Sequence, residues 1–167
     1  ISDGKFMIKP KILNLENLVQ KENKFLKNKA LHKNQNFTVD CPDKSLCVFC
    51  DESSLKGIYT NLCDNAIKYT PKGSNISLVT RKIGSNVVIS IADDGPGISD
   101  EAKQHIFDMF YSGANKVADS RRSLGLGLSL CRSIVTVHGG EITVSDNHPR
   151  GTVFTFTIPA EEAYINE

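Results

Sequence analysis

A chain of 167 residues, 40% hydrophobic and 23% charged, has the composition of one ordinary globular domain with a core of its own. Its formal charge of +1 supplies no basic field, so charge gives no reason to expect a nucleic-acid partner. No apolar run approaches the roughly 18 residues of a membrane span and no signal peptide opens the chain, so the segment reads as soluble, and its cysteine usage as that of a reduced, cytoplasmic setting.

Pro10 marks a break near the start. Leu15, Leu18, Val19, Leu26 and Ala30 then recur at helical spacing, and the helix they predict ends in the polar stretch 29–36. Stretches 37–40 and 46–50 read as short strands separated by the turn-prone Pro42-Asp43. Cys47 and Cys50 form a C-x-x-C match within the second of these. Strand alternation sends the two sulfurs to opposite faces, and no second pair completes a tetrahedral set. The five cysteines, an odd number, therefore read as reduced, small core residues.

Asp51 or Ser53 can cap a second helix through Leu55, Ile58, Leu62 and Ala66, which Pro71 and Gly73 stop. Strands follow at 75–83 and 86–92, joined by Gly84-Ser85. Ser99 starts a short helix expected to reach Met109. The stretch 111–123 is polar and basic with no period. A last helix is expected from Leu126 to His138, capped by Gly139 or Gly140, and 141–145 with 152–158 form a closing hairpin. Helices intermixed with antiparallel strand pairs predict an α+β, two-layer sandwich.

Three boxes carry chemistry. On the second helix Asn61, Asn65 and Lys68 share one narrow stripe, with Tyr69 at its margin. Two amides and an ammonium bordering a core-facing surface need polar partners, which a polyphosphate with its metal would provide. A solvated helix edge is the plainer alternative. The second box is Asp93-Asp94-Gly95-Pro96-Gly97-Ile98. Val87, Ile89 and Ile91 share a strand face, and Asp93 continues their register towards the inter-layer side. A carboxylate only accepts hydrogen bonds, so it suits the exocyclic amine of adenine and repels the carbonyl of guanine. Gly95 and Gly97 permit close backbone approach, although a tight turn would use them equally well. The third box, Gly125-Leu126-Gly127-Leu128, is expected at a helix N-terminus, where free N–H groups and the dipole favour an anion.

In this order and spacing, with Phe107-x-x-Phe110 before the third box and Gly151-Thr152 before the last strand, the motifs resemble one family. It is the histidine-kinase branch of the gyrase, chaperone, histidine-kinase and mismatch-repair ATP-binding superfamily, over roughly residues 12 to 160. The wording of 130–140 further looks like the potassium-responsive Kdp-type sensors. The resemblance implies the Bergerat ATP-binding fold, a mixed, mostly antiparallel sheet covered on one face by helices. It implies ATP and Mg²⁺ as cofactors, with Asn65 as the metal ligand. Asn61 and Lys68 would act near the phosphates as the catalytic pair, with Tyr69 beside them. Asp93 would take the adenine amine, supported through water by Thr152, with Gly95, Gly97 and Ile98 lining the base pocket. Phe107 and Phe110 would hinge a lid over about 111–123, and Gly125, Leu126, Gly127 and Leu128 would close on the phosphates. Met109, Ser112 and Ser123 depart from the family's wording, which leaves Lys116, Arg121 or Arg122 to supply the lid's charge.

Water-splitting relatives carry a glutamate base where this chain has Asn61, and an amide does not take up a proton at neutral pH. That favours transfer to an incoming nucleophile, which in this family is a histidine on a separate dimerisation domain. His32, His105, His138 and His148 lack the setting of an acceptor, so the chain is expected to be a piece of a larger sensor kinase. It would be monomeric alone and unable to complete autophosphorylation. A response regulator would act downstream, and the parent would sit at the inner face of the cell membrane. A degenerate nucleotide-binding module and an anti-sigma-type serine kinase are the alternatives.

Overall fold

The computed structural model describes residues 8–108 and 119–160. Short polar side chains open its early helices. Strand β1 (Pro10–Asn14) runs into helix α1 (Leu15–His32), where the Asn14 side chain accepts the Asn17 N–H at 3.0 Å. Strands β2 (Asn36–Asp40) and β3 (Cys47–Asp51) follow, and Asp51 caps helix α2 (Glu52–Tyr69). Strands β4 (Asn75–Ile83) and β5 (Asn86–Asp93) form a hairpin whose turn holds Gly84 at φ +63°. Ser99 caps the short helix α3 (Asp100–His105) by accepting the Ala102 N–H at 3.1 Å. Helix α4 (Asp119–Val137) and strands β6 (Ile142–Asp146) and β7 (Thr152–Pro159) complete the described chain.

Among the described residues one five-stranded sheet has the order β2-β4-β5-β7-β6. Its β2–β4 pair is parallel and its other pairs are antiparallel. Period-two patterning sends Ile76 and Leu78, then Val87, Ile89 and Ile91, then Phe154, Phe156 and Ile158 to one buried face. Leu18 and Leu26 of α1, Leu55 and Leu62 of α2, and Leu128 and Val135 of α4 pack into the same core. This is the expected α+β arrangement. No helix among the described residues is long and apolar enough to cross a membrane.

Three expectations need correcting. Pro10 does not break the structure but begins β1, which pairs antiparallel with β3 in a separate two-stranded ribbon. A first-residue proline on an edge strand forfeits no needed donor. Helix α3 stops at His105 instead of reaching Met109, because Asp108 N–H turns back to the His105 carbonyl at 2.8 Å. The turn lays Phe107 edge-on against core Phe154, with ring centroids 6.1 Å apart. Helix α4 begins at Asp119, before the expected Leu126, so part of the predicted lid is helical and the third box lies inside a helix.

Asp51 concentrates hydrogen bonds that fix the start of α2. Its carboxylate accepts from Ser54 Oγ at 2.7 Å, Ser54 N–H at 2.9 Å, Ser53 Oγ at 3.0 Å and Lys9 N–H at 2.9 Å. The Ser54 hydroxyl foremost, then the backbone donors, hold its pKa down to about 2. A depressed carboxylate contributes stability above its unfolded pKa and loses it as pH falls towards the folded one. Asp51→Ala is expected to cost about 1 kcal/mol at neutral pH. Asp51→Asn keeps one acceptor oxygen but neither the charge nor the second, so it should lose part of that stability at neutral pH and flatten the decline between about pH 4 and pH 2. Urea midpoints across that range check this, and a wild-type decline in Asp51→Asn would refute it.

His138 ties the end of α4 to the same cap. Its Nε2 accepts the Asp51 N–H at 3.1 Å, so the proton resides on Nδ1, which donates to the Ile134 carbonyl at 2.8 Å. His138→Phe strands the Asp51 donor and is expected to cost about 1–3 kcal/mol. Retention of the wild-type denaturation midpoint would show that the link carries no stability.

Candidate nucleotide-binding site

Helix α2 is held by Leu55, Ile58, Tyr59, Leu62, Cys63, Ala66 and Ile67, all buried. Asn65 is buried with them at 3% exposure, although nothing about a core position calls for an amide. Its Oδ1 has no hydrogen-bond partner, and neither has the buried Oδ1 of Asn61 one turn earlier. Two orphaned amide oxygens on one stripe cost the fold stability unless something else satisfies them. Lys68 is exposed at the end of this stripe and Tyr69 is half-buried.

The C-terminus of α2 is tied down from the α1–β2 connection. Lys33 Nζ donates to the carbonyls of Ile67 and Lys68 at 2.9 and 3.0 Å. Buried Gln35 donates through Nε2 to the Ile67 carbonyl, the Thr70 carbonyl and Thr70 Oγ1 at 3.0, 2.9 and 2.8 Å. The sequence reading missed Gln35 and Thr70. Nothing in the 29–36 stretch marks a glutamine that closes a helix 35 positions away.

Asp93 ends β5 on the buried face, 8% exposed, as its register with Val87, Ile89 and Ile91 requires. Its Oδ1 accepts the Gly95 N–H at 2.9 Å, and its β7 register partner is buried Thr152. Asp94 points elsewhere, accepting from Asn75 N–H and Nδ2 at 2.8 Å each. Burial alone would raise its pKa, but those two bonds, its own backbone N–H and the nearby Arg150 charge together hold it below the ordinary value. Gly95 has no room for a side chain: a Cβ there would lie 2.6 Å from Thr70 Cγ2. The end of α2 and the glycine loop are therefore in direct contact. Gly97 adopts φ +84° beside the Gly151 carbonyl, and Ile98 packs partly buried against the core.

The third box meets the first. A Cβ on Gly127 would come 2.9 Å from Asn61 Nδ2, so α4 lies flush against the amide stripe. Leu128 turns into the core. Gly125 and Leu126 lie within α4 and not at its start, so the expected helix N-terminus does not fall at this box. Phe110 and Lys116 fall outside the described residues, as does 111–118 of the predicted lid. The described cysteines are free, Cys47 half-buried and the others buried, and burial lifts Cys50 and Cys131 to about 12. No cluster of His, Cys, Asp or Glu fit for a metal occurs among the described residues.

The stretch of sequence that carries the amide stripe and the inward carboxylate matches a known family profile. That of histidine kinase-, DNA gyrase B-, and HSP90-like ATPases aligns with residues 50–162. The chain belongs to this family. It is 41% identical over 143 residues to the sensor protein KdpD of Clostridium acetobutylicum, covering 86% of this chain and 15% of that one. The catalytic domain of histidine kinase ThkA superposes with a TM-score of 0.80 at 31% identity, covering 91% of this chain and 98% of that domain. ThkA has also been solved in complex with the response regulator protein TrrA. Full-length ShkA in complex with AMPPNP matches with a TM-score of 0.78 at 25% identity, covering 93% of this chain and 32% of that one. This ATP-binding domain is thus a histidine-kinase catalytic domain, and it spans only a small part of the length of the KdpD it resembles.

Proposed function

We propose that this domain binds Mg–ATP and donates the γ-phosphoryl group to a histidine on a separate helical dimerisation domain. The observation that carries the reading is the pair of buried, unpartnered amide oxygens on Asn61 and Asn65. Amide oxygens are hard ligands that suit Mg²⁺, and Asn65 would hold the ion. The ion would neutralise charge on the phosphates. Asn61 and Lys68 would position the phosphate chain, and Tyr69 would flank it. Asp93 would accept from the adenine amine, with Gly95, Gly97, Ile98 and Thr152 around the base.

Asn61 directs the chemistry. Lacking a base there, the site does not activate water, which favours transfer to a nucleophile that arrives already positioned. An imidazole nitrogen forms the P–N bond as the bond from phosphorus to the β,γ-bridging oxygen breaks and ADP leaves. The complex of ThkA with TrrA supports a response regulator as the next recipient, and the parent would be a larger sensor kinase at the cytoplasmic face of the membrane. The test mixes this chain with the helical acceptor domain and γ-labelled ATP. Acid-labile phosphate on a histidine is expected. Acid-stable phosphate would assign a serine kinase, and ATP binding without transfer would leave a regulatory nucleotide module.

A further inference from the structure

We infer that Asn147 and Arg150, in the β6–β7 turn, are positioning residues that clamp the adenine-binding loop and set base selectivity. The inference rests on the reading of Asp93 as the adenine acceptor. Sequence alone makes 148–151 a plain hairpin turn, yet the β6–β7 connection reaches back more than fifty positions to the end of β5. Asn147 Nδ2 donates to the Asp93 carbonyl at 2.8 Å, and Arg150 Nε donates to the Gly95 carbonyl at 3.0 Å. Asn147 N–H donates to the Gly151 carbonyl at 3.0 Å, which keeps the turn closed. Gly151, at φ +113°, lets the chains touch, since a Cβ there would come 1.9 Å from the Asp93 carbonyl oxygen.

The two clamped carbonyls belong to the 93–94 and 95–96 peptide units. Between them lies the 94–95 unit, whose N–H is the one that Asp93 Oδ1 accepts. The turn therefore immobilises both neighbours of the peptide that orients the carboxylate. The Thr70 methyl also lies against Gly95. With its aim fixed this way, Asp93 loses little freedom when a base docks, and a donor is separated from an acceptor by geometry already in place.

The test measures ADP and GDP affinities of this chain by titration calorimetry, with apo melting temperatures alongside. Asn147→Asp keeps the shape but removes the donor, and Arg150→Met keeps the length but removes the N–H. Each is expected to reduce the ADP-to-GDP affinity ratio about tenfold. Arg150→Gln places an amide N–H the same number of bonds from Cα and should restore the ratio. Equal losses for both nucleotides, or no rescue by Arg150→Gln, would reduce the turn to a structural brace and overturn the inference. An unchanged ratio in Asp93→Asn would overturn the underlying reading. A ratio lowered in Asp93→Asn but unchanged in the turn variants would overturn the clamp alone. If Asn147→Asp does not fold, the Arg150 pair decides.

Discussion

Asp93→Asn is expected to weaken ATP binding by about 10–100-fold while leaving the apo domain folded, the largest change in base recognition that one substitution should produce here. An asparagine oxygen can still accept the Gly95 N–H, so the loop keeps its bond. What changes is the rest of the head group, where an acceptor-only carboxylate becomes an amide that also donates. A donor facing the adenine amine leaves both without a partner in a position only 8% exposed. The guanine carbonyl meets the same donor favourably, so GTP should lose far less than ATP, or gain. Titration calorimetry with non-hydrolysable analogues of both nucleotides measures this. An unaltered preference would mean that Asp93 serves the loop and not the base.

The second large effect is at Asn65, where function and stability should move in opposite directions. Asn65→Leu replaces a buried amide, whose oxygen has no partner, with an apolar group of similar shape. The apo domain should become more stable by about 1–2 kcal/mol, since an unsatisfied polar group costs roughly that much in an interior. Nucleotide affinity should lose its dependence on Mg²⁺, and phosphoryl transfer should fall by at least about 100-fold, because charge neutralisation on the phosphates goes with the metal. Asn65→Asp would return a hard oxygen ligand and keep part of the Mg²⁺ dependence, but a buried carboxylate would lower the apo melting temperature. Thermal melts of the apo variants and titrations with and without Mg²⁺ read both effects. A marked drop in stability for Asn65→Leu would show instead that the amide is structural.

Elsewhere the balance of local and distant forces decides what could be foreseen. Strands β4, β5 and β7 were legible because alternation over eight or nine residues specifies a buried face without reference to the partner strand. The inward aim of Asp93 follows from that alternation alone. Asp51, with Ser53 as the other candidate, and Ser99 were legible as caps because a cap is satisfied within three residues of itself. The start of α4 was not, since two glycines in a helix cost about 1 kcal/mol each and argue for a boundary. At Gly127 the missing side chain instead permits α4 to lie against Asn61, a packing gain that no local propensity records.

By itself, then, the sequence determined the layered α+β class, the core-facing stripes and the residues proposed for both ends of the nucleotide site. These depend on periodicity, capping and residue chemistry, which act over a few positions. Only the tertiary structure decided that the Asn61 and Asn65 oxygens are buried without partners, that Gln35 closes α2, and that the β6–β7 turn grips the Asp93 loop. Each depends on groups brought together across 32 or more residues, where loop closure and packing, not local preference, choose the neighbour.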